Sequence, residues 1–203
     1  MSVILTLILF KVLLPEVWLL KTLSCTNPNL IRPLQIGWSL QTKHIQSFTS
    51  GGLMHCSREC VYHSNCLSFN FRVSSGRCEL NRVTSNNMDN LIEDSGSMYG
   101  SKADWISTVA GDCAHITCRT NHKCIPITNG TKCVLVDCGV PPDMTYGSIA
   151  DFSGTTIGYR ATYSCFVNIT TKVILTCNED GRWNGVVCNS SQISTANHNF
   201  IRV

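Results

Sequence analysis

The apolar positions along this chain change rhythm several times, and each change marks a boundary. Val3 to Phe10 is an unbroken apolar run apart from Thr6, and Val12 to Leu20 extends it around Pro15 and Glu16. Small or polar residues follow at Thr22, Ser24 and Thr26. That layout assigns residues 1–24 to a secretory signal peptide with cleavage near Ser24. A membrane anchor is the competing reading. Lys11 and Glu16 would each cost about 2.5–3.5 kcal/mol near a bilayer centre, and no later stretch approaches the ~20 apolar residues of a spanning helix.

Gly37-Trp38-Ser39-Leu40 predicts a short strand, followed by a turn at Ser50-Gly51-Gly52. From Leu53 the period becomes helical: Leu53, Met54, Cys56, Cys60 and Val61 share a side, with Arg58 and Glu59 opposite. Cys56 and Cys60 are placed one turn apart on a single face. After Cys66, the residues Leu67, Phe69, Phe71 and Val73 alternate with Ser68, Asn70 and Arg72, which predicts a half-buried strand. Ser74-Ser75-Gly76 makes the turn, and Arg77-Cys78-Glu79-Leu80 returns. Residues 81–97, with Asn86-Asn87 and Ser95-Gly96, are polar and read as a loop. Tyr99 and the stretch from Trp105 to Val109 are expected to supply a closing strand.

Composition sets the compartment. Thirteen cysteines in 203 residues fit an oxidising environment. The formal charge of +3 is spread without any Lys/Arg cluster, so nucleic-acid binding has no electrostatic footprint. The cysteines fall into three groups, 56–78, 113–133 and 138–188. Units of that size bury too little surface to fold on apolar contacts alone, which makes their cysteines structural. Four cysteines allow three connectivities, and the residues alone leave these open.

The run Cys56-x3-Cys60-x5-Cys66-x11-Cys78, with Ser68-Phe69-Asn70-Phe71 and Cys78-Glu79-Leu80, resembles the PAN/apple family over residues 34–110. The resemblance implies an α+β domain with a helix on a β-sheet, and pairs Cys56 with Cys78 and Cys60 with Cys66. Cys113-x4-Cys118-x5-Cys124-x8-Cys133 resembles a truncated EGF-like module over 113–133, which implies Cys113–Cys124 and Cys118–Cys133. With only Asp112 before the first cysteine, calcium is not expected. Residues 138–188 resemble a sushi (complement control protein) module. The matching residues are Cys138-Gly139, Pro141-Pro142, Gly147, Tyr163-Ser164-Cys165, Cys177, Gly181-Arg182-Trp183 and Cys188. This all-β resemblance implies Cys138–Cys177 and Cys165–Cys188. It departs from the family pattern at Phe166-Val167-Asn168 and lacks the proline usual just before the last cysteine. The fold class is therefore a chain of disulfide-rich small modules, ending in a tail over 189–203.

Cys113, His115, Cys118, His122 and Cys124 contain zinc-ligand atoms, but thiolates oxidise outside the cell, so disulfides are expected and no cofactor or metal. Asp94-Ser95-Gly96-Ser97 superficially resembles a nucleophile loop, yet the six histidines are scattered and no protease-sized domain remains; the chain is expected to be no enzyme. Asn129-Gly130-Thr131, Asn168-Ile169-Thr170 and Asn189-Ser190-Ser191 are glycosylation acceptors. Trp38, Trp105 and Trp183 are expected in cores.

The expectation is an extracellular, non-catalytic recognition or adhesion protein whose partner is a protein or glycan. Loop 81–97 and the exposed sheet of the first module are its candidate contacts. A matrix spacer, or a fragment of a larger mosaic receptor or protease, is the alternative. Cys25 is the thirteenth cysteine: cleavage removes it, or retention makes it a candidate for a covalent dimer.

Overall fold

A computed structural model of the protein describes residues 34–42, 44–85, 90–166 and 168–189. The signal-peptide assignment, Cys25, Asn86-Asn87 and the tail beyond Asn189 lie outside the described residues. Among the described residues no helix is long and apolar enough to cross a membrane.

The first layer is a five-stranded antiparallel sheet in the order β1-β5-β3-β4-β2. Its strands are β1 (Gln35–Leu40), β2 (His44–Thr49), β3 (Ser68–Arg72), β4 (Arg77–Asn81) and β5 (Leu91–Ser101). Two helices, α1 (Leu53–Tyr62) and α2 (Lys102–Val109), cover one face. At ten residues α1 is too short to persist alone. It is held by burying Cys56, Ser57 and Cys60 and by two disulfides, Cys56–Cys78 to β4 and Cys60–Cys66 to the segment before β3. Phe69, Phe71, Leu80, Ile45, Trp105 and Val109 complete this core. Trp105 meets Phe69 edge-on at 5.8 Å between centroids. Gly100 is required at its place on β5, because a Cβ there would lie 2.5 Å from the Phe69 ring.

Three expectations are corrected. β3 is not half-buried: Ser68 and Asn70 are as inaccessible as Phe69 and Phe71. The strand is central, and Leu40, Leu91, Tyr99 and Trp38 form a second small cluster in the same domain. The buried polar residues of β3 are satisfied: Asn70 exchanges hydrogen bonds with the Leu40 backbone at 2.9 Å each way, and the Ser68 hydroxyl donates to Val83 O at 2.6 Å. The loop over 81–97 is half strand, since β5 starts at Leu91 and pairs with both β1 and β3. The polar run Glu93-Asp94-Ser95 in the first half of β5 concealed the alternation, and Arg72 offsets Asp94. The stretch from Trp105 to Val109 is helix rather than closing strand. Trp105 and Val109, four apart, bury one face, and that spacing outweighs the β-branched composition.

After a 3₁₀ turn (Gly111–Cys113) comes a two-stranded hairpin, β6 (His122–Ile127) and β7 (Gly130–Leu135). Disulfides Cys113–Cys124 and Cys118–Cys133 tie it to the preceding turn. The last layer is a four-stranded sheet, β11-β10-β9-β8. It is built from β8 (Gly147–Phe152), β9 (Arg160–Cys165), β10 (Asn168–Cys177) and β11 (Trp183–Gly185). Cys138–Cys177 and Cys165–Cys188 close it around Ala161, Tyr163, Val173 and Leu175. Trp183 packs half-buried on this core and donates from Nε1 to Gly139 O at 3.0 Å.

The layers are stitched together at Asp137, whose side chain is fully buried. Arg82 Nη2, just past β4, donates to both its oxygens and also to Thr155 Oγ1. Asn65 Nδ2 donates to Asp137 at 2.9 Å and to Asn121 at 2.6 Å, and Gly139 N donates to Asp137 Oδ1 at 2.8 Å. Backbone bonds run beside them, from Ser64 N to His122 O and from Thr155 N to Ile45 O. A buried carboxylate is tolerated only when its lone pairs are filled in this way.

Candidate functional site

Residues of β3 alternate about the sheet, so Phe69 and Phe71 face the helices while Asn70 and Arg72 face away. Register extends this into two rows on the outer face. One runs Ser47, Glu79, Asn70, Tyr99; the next runs Thr49, Arg77, Arg72, Ser97. Arg72 and Arg77 are directly opposite each other, an arrangement that destabilises a sheet unless the charges are compensated.

Compensation is local. Arg72 pairs with Asp94, which also accepts from Ser97 Oγ at 2.8 Å. The Ser97 hydrogen bond foremost holds the Asp94 carboxyl below its ordinary range; desolvation opposes it, and the hydrogen bond and charge of Arg72 add to the lowering. Arg77 Nε lies 2.9 Å from Glu79 and donates to Ser47 Oγ at 2.9 Å. His44 Nε2 approaches Glu79 from β2 at 3.5 Å. Arg77 is 55% exposed, and its Nη nitrogens make no hydrogen bond among the described residues. Between these side chains is a notch of about 20 Å³ lined by Asn70, Arg72, Arg77, Glu79, Asp94 and Ser97. Open grooves continue from it past Thr49 and Ser75, and past His44 to Phe152 at the end of β8 and Ser153 just beyond it. Two guanidiniums and two carboxylates make the face locally neutral. Hydroxyls and amides, which both donate and accept, suit such a face.

The sequence-derived candidates are scattered differently. Asp94, Ser95, Gly96 and Ser97 belong to β5, where Asp94 and Ser97 bond each other. Cys113, Cys118 and Cys124 are disulfide-bonded and His115 is exposed. Asn129, Asn168 and Asn189 are all exposed, at the β6–β7 turn, the start of β10 and just after Cys188. Asn168 Oδ1 accepts from the Thr170 N–H at 3.0 Å and from its hydroxyl. Sequence reading passed over Arg72, Arg77 and His44. The period-2 signal that buried Phe69 and Phe71 also put the arginines outward, but their meeting across two strands needs the register. It also passed over Ser50, whose Oγ lies 3.1 Å from His55 Nδ1, with Glu59 3.8 Å from Nε2. That hydroxyl donates to Gly52 O at 2.8 Å and closes the turn that starts α1.

Compared with known families, the strands and helix that carry this face are decisive. Residues 36–105 match the PAN domain. The match runs from β1 into α2 and includes both rows of the outer face. Neither the curated proteins nor the solved structures yield a match to the chain. Members of the PAN family are often protein- or carbohydrate-binding modules of extracellular proteins. The PAN fold and its disulfides point to an extracellular protein here as well.

Proposed function

We propose that this chain is a secreted, non-catalytic recognition or adhesion protein that binds a protein or glycan through the outer sheet face of its PAN domain. The observation that carries this reading is the neutral array of Arg72, Arg77, Glu79 and Asp94, held in place by mutual hydrogen bonds. Preorganised side chains lower the ordering cost of binding, and Arg77 retains free donors among the described residues. Residues 113–133 and 138–188 are read as a truncated EGF-like module and a sushi module, a reading supported by the order in which their cysteines pair. Asn129, Asn168 and Asn189 would carry the glycans of a secreted glycoprotein. The test is to present the purified chain to arrays of glycans and of extracellular proteins. Saturable binding to a restricted set is expected; no binding above background on either array would favour a matrix spacer.

A further inference from the structure

Four lysine or arginine side chains are half-buried among the described residues: Arg72, Arg82, Lys102 and Lys123. Three of them meet a carboxylate, Arg72 with Asp94, Arg82 with Asp137 and Lys123 with Glu59. Lys102 meets none among the described residues. Its Nζ donates once, to His63 O at 2.8 Å, which leaves two of the three ammonium donors unused there. Burial alone pushes the amine below its ordinary value, with no opposing charge to raise it. Lys102 is also the first residue of α2, where the helix dipole disfavours a cation. A desolvated ammonium without a counter-ion is costly.

This lysine lines a cavity of about 240 Å³ between α1 and the disulfide-tied turn that follows α2. Val61, Ile116 and Cys113–Cys124 give it apolar walls, while Ser64 and Thr117 bring hydroxyls. The volume is below the ~300 Å³ at which drug-sized pockets begin, so it suits one end group rather than a whole large ligand.

We infer that this cavity binds a carboxylate carried on a short aliphatic stem, with Lys102 as its counter-ion. The site is separate from the sheet face, since it lies on the helical side of the PAN domain, and either can fail without the other. The apolar walls take the stem, and the ammonium with the neighbouring hydroxyls takes the charge. Lys102 is dispensable to the empty fold: His63 O also accepts from Cys66 N at 3.2 Å, so removing the amine strands no carbonyl.

The test uses the full mature chain, isotope-labelled, titrated with butyrate, with butyramide and with glucuronate. Butyrate is expected to shift the amide signals of Val61, Ser64 and Thr117 saturably, and butyramide to leave them unchanged. Lys102→Gln is expected to weaken butyrate binding at least about tenfold, the loss of one charge-assisted contact. The same variant, without ligand, is expected to melt at the wild-type temperature or above it. Equal shifts from butyramide, or undiminished butyrate binding in Lys102→Gln, would overturn the assignment. So would a marked fall in the variant's melting temperature, which would make Lys102 a structural residue. Tighter binding of glucuronate than of butyrate would replace the aliphatic stem by a sugar acid and overturn the proposal as stated.

Discussion

His63 closes α1 and is almost wholly buried beside Asp137. Its Nδ1 accepts from Asn65 N at 3.2 Å, which puts the ring proton on Nε2. That atom lies 3.7 Å from Asp137, beyond hydrogen-bond reach, and has no other partner among the described residues. Burial pushes the imidazole down to about 4; Asp137 pulls it upward, while Arg82, Lys102 and Lys123 add to the lowering. In the unfolded chain the same ring takes up its proton near 6.5. Between those values the unfolded chain binds more protons, so the contribution to stability is complete above pH 6.5 and is lost as pH falls through 4. The loss is on the order of 3 kcal/mol at 1.36 kcal/mol per unit. Urea unfolding between pH 7 and pH 4 should show this slope, and His63→Gln should flatten it. An equal slope in the variant would remove His63 from the account.

At the scale of elements, α1 depends on its two disulfides to different degrees. Cys56–Cys78 closes a separation of 22 residues and Cys60–Cys66 one of 6. Chain entropy gives the longer loop about 3 kcal/mol and the shorter about 2. Chemical denaturation of Cys56→Ala/Cys78→Ala and of Cys60→Ala/Cys66→Ala should reproduce that order. Helix α1 and the β3–β4 hairpin were legible in the sequence, because each shows a full period beside a glycine turn, Gly51-Gly52 before α1 and Gly76 between the strands. β5 and α2 were not. β5 carries Glu93, Asp94 and Ser95 in its first half, and Asp94 is offset there by Arg72 from a strand more than twenty residues earlier. α2 is built on Trp105 and Val109, whose shared face appears only when Phe69 and α1 are in place. The candidate face was legible only as an exposed sheet. Its arginines meet through pairing register, which no local pattern encodes.

For the molecule as a whole, Asp137 joins segments that sequence reading treats as separate modules. Removing one partner of a buried pair costs roughly 3–5 kcal/mol, because the other is left uncompensated. Asp137→Ala should therefore lower stability by about 3 kcal/mol and split a single calorimetric transition into two, as the PAN domain and the last sheet melt apart. One undivided transition at the wild-type temperature would show that the junction carries no coupling. The junction matters for recognition because it sets Phe152 and Ser153 beside His44 and Arg77, extending the face beyond one domain. The most direct test of the central claim is a binding isotherm for the partner recovered from the arrays, measured on three chains. These are the wild type, Arg72→Ala/Arg77→Ala on the face, and Arg160→Ala/Lys172→Ala on the last sheet. Loss of two contact arginines should weaken binding at least about tenfold, since one such residue is worth 1 kcal/mol or more, while the control pair changes little. Equal affinity for all three chains, or a loss confined to Arg160→Ala/Lys172→Ala, would contradict the account.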